Sequence, residues 1–210
     1  MIVPVTPEWI QEAVRALQRG EAVAFPTDTL YGLGAWTFSP AGVQRVFAIK
    51  GRAATKALPL LLADASQLPA VVAEVPKVAR LLAGHFWPGA LTLVLPKARH
   101  IPDLVTGGET TVAVRVPDHP IPRELVRRLG GPITGTSANR SGAPSARTAQ
   151  EVEAQLSAEV TLVLDGGMCP GGHASTVVDC SGGVLRILRE GAIPRALLEE
   201  VAGAPILAAG

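Results

Sequence analysis

The sequence predicts an α/β fold: a twisted mixed sheet with flanking helices, in a single domain covering 1–210. Three observations predict it. Helix-type and strand-type patterns alternate through the first half of the chain, and strand-type runs crowd the second half. Hydrophobic residues make up 48% of the 210 positions and charged residues 18%, a composition that can bury a substantial core. No repeat, low-complexity linker or shift of composition divides the chain.

Taken in order, "TPEWIQEAVRALQRG" (6–20) reads as a helix. Thr6 caps it, Pro7 suits its first position and Gly20 stops it, with Ile10, Ala13, Val14 and Leu17 on one face. "EAVAFP" is a short buried strand that ends at Pro26, and "TDTLYGLG" (27–34) reads as a loop. "SPAGVQRVFAIKGR" (39–52) is a helix capped by Ser39, "ALPLLLA" (57–63) a strand, and "PKVARLLAGHFWPG" a helix ending at Gly84 or soon after. "ALTLVLP" (90–96) is a strand. "TTVAVRVP" alternates, with Val112, Val114 and Val116 on one face and Thr111, Ala113 and Arg115 on the other. "PIPRELVRRLG" is a helix, "GPITGTSAN" a strand running into a loop, and "TAQEVEAQL" a short helix. "VTLVLDGG", "STVVDC" and "GVLRILRE" are strands, and "IPRALLEEVAG" is a final helix.

Several function classes lose their usual support. A net charge of +1 gives no global basic field of the kind nucleic-acid binders carry. There is no GxxxxGK[ST], no GxGxxG, no HExxH and no GxSxG. The four histidines and two cysteines have no zinc spacing, and Cys169 and Cys180 read as reduced, buried thiols of a cytoplasmic protein. The N-terminal "MIVPVTPEWI" lacks the charged and apolar regions of a signal peptide, and no apolar run is long enough for a membrane span.

What remains is a set of polar residues at strand and helix ends. In "IKGRAATK", Lys50, Arg52 and Lys56 surround the end of a helix. They suit either compensation of the helix dipole or a clamp on a polyphosphate. "PTDTLYGLG" is either a polar turn or a binding loop at a strand end. Arg115 stands in an apolar strand, so it is either half of an ion pair or a receptor for a carboxylate. In "GTSANRSGAPSART", Ser137, Asn139 and Ser145 either form turns or point at a phosphate or sugar. Asn139 is the only asparagine of the chain. Ser175 starts one strand and Arg189 ends another. Together these residues suggest a small α/β protein whose cationic pocket holds a nucleotide and a small acid.

Lys50-x-Arg52 and Ser137-x-Asn139 form a K-x-R and S-x-N set. With "AFPTDTLYGLG", "HFWPGALTLVL", "TVAVRVPDHPI", "TSANRSGAPS" and "STVVD…ILREGAI", it resembles the YrdC family of threonylcarbamoyl-AMP synthases from about residue 8 to about residue 200. The resemblance implies a YrdC-like fold with a cationic concave cavity. It also implies a reaction in which L-threonine, bicarbonate or CO2, and ATP give threonylcarbamoyl-AMP and pyrophosphate. Partner proteins then transfer the threonylcarbamoyl group to the adenosine beside the anticodon of tRNA.

Carried over by position, Lys50, Arg52, Ser137 and Asn139 form the catalytic set. ATP contacts fall on Lys50, Arg52, Lys56, Thr111, Ser137, Asn139, Ser145 and Arg189. Threonine contacts fall on Thr29, Leu61, Arg115, Gly135 and Ser175, with Leu61 where some members have histidine. ATP is a substrate, Mg2+ binds through its phosphates, and no protein metal site is expected. The short chain resembles the single-domain form of the family. The alternative is an RNA-binding or ribosome-maturation factor using the same cavity, which leaves room for weak RNA binding. A carbamoyl-adenylate-forming domain of the hydrogenase-maturation type shares the fold but sits in much longer chains.

Overall fold

A computed structural model describes residues 1–51, 53, 55–156 and 159–208. The chain opens with β1 (Ile2–Pro4) and α1 (Pro7–Gln18). The Thr6 hydroxyl accepts from the Trp9 N–H at 3.4 Å, Pro7 lies in the first turn, and Ile10, Ala13, Val14 and Leu17 are buried. Next come β2 (Val23–Phe25), β3 (Gly32–Gly34) and α2 (Pro40–Lys50). Ser39 caps α2, and Gly51 stops it at φ 58°, short of the predicted end at Arg52.

The middle of the chain forms β4 (Leu60–Leu61), a 3-10 turn (Ala65–Ala70), α3 (Lys77–Phe86), β5 (Leu91–Pro96), α4 (Asp103–Thr106) and β6 (Thr111–Arg115). Then follow α5 (Pro120–Leu129), β7 (Ile133–Thr134), β8 (Thr136–Ser137) and α6 (Ala149–Leu156). Last are β9 (Leu162–Asp165), β10 (Thr176–Asp179), β11 (Arg186–Arg189), α7 (Arg195–Ala202) and β12 (Leu207–Ala208). Among the described residues no helix is long and apolar enough to cross a membrane.

Among the described residues the strands form two mixed sheets rather than one. Five strands run in the order β1-β9-β2-β3-β8, and seven in the order β12-β11-β10-β5-β6-β4-β7. β7 and β8 are consecutive in the chain but edge different sheets, so the chain steps from one sheet to the other at Gly135. That step is tight: Gly135 N–H donates to the Pro59 carbonyl at 2.8 Å, and a Cβ on Gly135 would lie 2.5 Å from Leu61 Cγ. One apolar cluster, including Val14, Leu17, Phe25, Leu125 and Leu164, packs α1 and α5 on the five-stranded sheet. A larger one, including Leu33, Phe47, Leu60, Leu82, Leu93 and Val114, spans both sheets.

β3 is the main departure from the sequence reading, which takes 27–34 as loop. Glycine has low strand propensity, but here packing selects it. A Cβ at Gly34 would lie 2.2 Å from the Thr134 carbonyl oxygen, and one at Gly32 would lie 2.8 Å from the Phe25 ring. β3 thus pairs with β2 and β8 because it lacks side chains at these points. The predicted 57–63 strand shrinks to Leu60–Leu61, while β1, α4 and β12 carry too little periodicity to be read in advance.

At the start of α5, His119 accepts the Ile121 N–H on Nδ1 at 3.3 Å, a cap that requires a neutral imidazole. Burial pushes His119 below its ordinary pKa, more than Asp28 and Asp118 raise it. A depressed folded-state pKa gives stability that is present above the unfolded value of about 6.5 and lost as pH falls through the folded value. The melting temperature is expected to fall on acidification from pH 7.5 to 5.5. His119→Asn, which caps without titrating, should flatten that part of the profile. An unchanged slope in thermal unfolding would assign the loss to other groups.

Candidate functional site

A cavity of about 570 Å³ opens where the two sheets meet, within the size range of small-molecule and cofactor sites. Its walls include the loop after β2, the end of α2 and the segment into β4, the β7–β8 step with its following loop, and one face of the β5, β6, β10 and β11 strands. The alternation of β6 explains one wall. Val112, Val114 and Val116 are buried in the core, and Ala113 and Arg115 face the cavity. Among the described lining residues the charged groups are Lys50, Lys56, Arg115 and Arg189, with no carboxylate and no histidine. Such a lining attracts an anion.

Arg115 is both an ion-pair partner and a cavity residue, so the two readings of it are not exclusive. Its Nη2 donates to Asp28 Oδ1 at 2.6 Å, its Nη1 to Thr29 Oγ1 at 3.0 Å and its Nε to the Gly89 carbonyl at 2.9 Å. Asp28 Oδ1 also accepts the Asp118 N–H at 3.1 Å. The pair is well buried, with side-chain exposures of 8% for Arg115 and 15% for Asp28. Burial works against the Arg115 charge, and the Asp28 carboxylate works for it.

Arg189 donates from Nε and Nη2 to the Ser175 carbonyl, at 3.1 and 2.8 Å, and from Nη2 to Ser175 Oγ at 3.0 Å. Ser175 Oγ also bonds Thr92 Oγ1 at 2.8 Å. Burial, and after it the charge of Arg115, holds Arg189 below its ordinary pKa. Two guanidinium groups therefore repel one another across a cavity with one neighbouring carboxylate. A bound anion would relieve that repulsion.

On the opposite side, Lys50 ties α2 to the loop after β8. Its Nζ donates to the carbonyls of Ser137 at 2.5 Å and Asn139 at 2.8 Å, and to Asn139 Oδ1 at 3.3 Å. The Lys50 carbonyl accepts the Ser141 N–H at 3.0 Å. Asn139 is 6% exposed, and its Nδ2 donates to the Arg140 and Ala143 carbonyls at 3.1 and 2.6 Å. Both N–H groups of the lone asparagine are thus bonded within the loop, while its Oδ1 meets Lys50.

The structure brings most of the predicted residues to one place. Thr29, Lys50, Lys56, Leu61, Arg115, Gly135, Ser137, Asn139, Ser145, Ser175 and Arg189 line the cavity. Thr111 shares the face of β6 with Ala113 and Arg115 but is not among the lining residues. Arg52 lies outside the described residues. Sequence reasoning missed Thr92, Val177 and Leu188, which line the sheet face of the cavity. Thr92 had a signal: it is a hydroxyl residue 1% exposed in a strand otherwise made of leucine, valine and proline.

Comparison with known proteins places these features in context. The profile of the Sua5/YciO/YrdC family, described as "Telomere recombination", matches residues 15–191. Threonylcarbamoyl-AMP synthase of Pyrococcus abyssi is 42% identical over 197 residues, covering 93% of this chain and 58% of the relative. This chain therefore spans less than two thirds of that protein's length. Threonylcarbamoyl-AMP synthase of Chromohalobacter salexigens is 39% identical over 180 residues, covering 85% of this chain and 96% of the relative. The crystal structure of P. abyssi Sua5 complexed with L-threonine is 40% identical with a TM-score of 0.94, covering 98% of this chain and 62% of that one.

Proposed function

The chain belongs to the Sua5/YciO/YrdC family, and from that premise we propose that it is a threonylcarbamoyl-AMP synthase. The substrates are L-threonine, bicarbonate or CO2, and ATP, and the products are threonylcarbamoyl-AMP and pyrophosphate. The adenylate then passes to threonylcarbamoyl-transfer proteins that act on tRNA. The observation that carries this reading is the cavity lining: among the described residues it has four cations, hydroxyls and no carboxylate, around a space of about 570 Å³.

In this reading Arg115 receives the threonine carboxylate, beside Thr29, Leu61, Gly135 and Ser175. Lys50, Arg52, Lys56, Thr111, Ser137, Asn139, Ser145 and Arg189 form the ATP side, with Asn139 acting through the loop it holds. The amine attacks CO2 to give a carbamate. A carbamate oxygen then attacks the α-phosphorus, and pyrophosphate leaves. Neither step needs a covalent enzyme intermediate. Positioning contributes up to about 7–11 kcal/mol in ideal cases, and the cations stabilise charge developing on the phosphates. Mg2+ fits as part of the nucleotide substrate: the described lining offers it hydroxyls and carbonyls but no carboxylate, so phosphate and water oxygens hold it.

No described lining residue is a carboxylate or histidine, so the amine loses its proton to a substrate group or to water. The pH–rate profile should accordingly follow the threonine amine. An essential enzyme group with pKa near 7 would contradict this.

The test is direct. The chain is incubated with Mg–ATP, bicarbonate and L-threonine, and the adenylate and pyrophosphate are measured. Absence of the adenylate overturns the proposal. Formation of an adenylate only from carbamoyl phosphate, or salt-sensitive RNA binding without turnover, would assign the cavity to another reaction or role.

A further inference from the structure

We propose that Thr27 is a positioning residue that turns the Thr29 hydroxyl into a hydrogen-bond acceptor for the amine of the amino-acid substrate. The inference rests on the synthase reading for the identity of that substrate. Its physical basis is the count of protons in the loop after β2. Thr27 and Thr29 are 5% and 4% exposed, and both line the cavity.

The Thr27 hydroxyl has one proton, and its Oγ1 lies 2.6 Å from the Leu30 carbonyl oxygen. A carbonyl only accepts, so the proton of Thr27 goes there. Thr27 Oγ1 in turn accepts the N–H groups of Thr29 and Leu30, at 3.1 and 3.2 Å. Thr29 Oγ1 lies 2.9 Å from Thr27 Oγ1. The proton of Thr27 is already committed, so Thr29 is the donor in that contact; it takes one lone pair of Thr27, and the two longer, adjacent N–H contacts share the other. Thr29 Oγ1 also accepts from Arg115 Nη1 at 3.0 Å. One lone pair of Thr29 then remains for a ligand, and its proton does not.

The Arg115 fork donates while the adjoining Thr29 oxygen accepts. An α-amino acid carries the complementary pair on one carbon, an acceptor carboxylate and a donor nitrogen. Polarity at Thr29 also matters for the chemistry. A donor would engage the amine lone pair and suppress its attack on CO2. An acceptor holds the amine by an N–H and leaves the lone pair free.

Direct binding measurements by calorimetry test this in the whole chain, with L-threonine and with 3-hydroxybutanoate, which keeps the carboxylate and the β-hydroxyl but lacks the amine. Thr27→Val should weaken L-threonine binding about tenfold, raise its KM by a similar factor and leave the KM for ATP unchanged. Binding of 3-hydroxybutanoate should stay at the wild-type value, and Thr27→Ser should restore L-threonine. Thr29→Val removes the acceptor itself while sparing the backbone bonds of the loop. Because Thr29 also holds Arg115 Nη1, this variant should weaken both ligands but L-threonine by the larger factor, and it carries the test if Thr27→Val does not fold.

Unchanged L-threonine affinity in either folded variant overturns the inference. So does equal weakening of both ligands, which would make Thr27 a general support of the loop. Binding is read without turnover. Wild-type chain that binds L-threonine but forms no adenylate therefore overturns the synthase reading alone, and wild-type chain that does not bind L-threonine overturns both.

Discussion

Arg115→Ala is expected to raise the KM for L-threonine about 100-fold, the scale of a lost charge-assisted pair of hydrogen bonds, while the KM for ATP changes little. The same substitution should destabilise the fold by about 3 kcal/mol, because it strands a buried carboxylate. Asp28 would keep only the Asp118 N–H of the two partners it has now. The two effects have different physical origins, so a second substitution separates them. In Arg115→Ala with Asp28→Asn, no unpaired charge is left, and the melting temperature should recover most of its loss. The threonine KM should stay high, because the guanidinium is still missing. Steady-state kinetics beside thermal unfolding reads both. Recovery of the threonine KM in the double variant would show that Arg115 acts only as the structural partner of Asp28.

Arg115 also shows what kind of residue a sequence exposes to view. A charge inside an apolar strand conflicts with its surroundings, and that conflict is visible without coordinates. Thr92 in β5 is the same signal at lower amplitude, because a hydroxyl is cheaper to bury than a charge. The helices were legible for a similar reason. Thr6 and Ser39 bond the first turns they precede, and the apolar face of α1 follows its period.

The division into two sheets was not legible. It turns on β4, β7 and β8, each two residues long, which have no periodicity and exist through pairing with distant chain. β3 went further against local preference, since Gly32 and Gly34 are selected by the Phe25 ring of the preceding strand and by the Thr134 carbonyl, which is distant in sequence. The cavity lies along this seam, so its residues could be grouped in advance by family resemblance but not by local pattern. Thr111, which the resemblance groups with the ATP contacts, shares a strand face with Arg115 but is not among the described lining residues.

Lys50 differs from Arg115 in that its loss should affect the nucleotide side of the site and the order of the 137–143 loop together. Among the described residues its ammonium donates to the carbonyls of Ser137 and Asn139 and to the Asn139 side-chain oxygen. Lys50 is 5% exposed and lines the cavity. Lys50→Ala removes both the positive charge and the tie. It is expected to lower kcat/KM for ATP at least about 100-fold and to cost about 2–3 kcal/mol of stability, the range for buried hydrogen bonds to a charged group. Lys50→Met keeps most of the side-chain volume and should recover part of the stability but none of the ATP use. Lys50→Arg keeps the charge, but a planar fork cannot meet three acceptors arranged around one nitrogen, so it should recover little of either. Asn139→Ala isolates the tie, because it leaves the charge of Lys50 in place and removes one of its acceptors. It should loosen the loop, seen as faster amide exchange across 139–143, with a smaller loss in kcat/KM than Lys50→Ala. A loss in Asn139→Ala as large as in Lys50→Ala, without a change in exchange, would mean that the asparagine amide itself meets the substrate and that the tie is secondary.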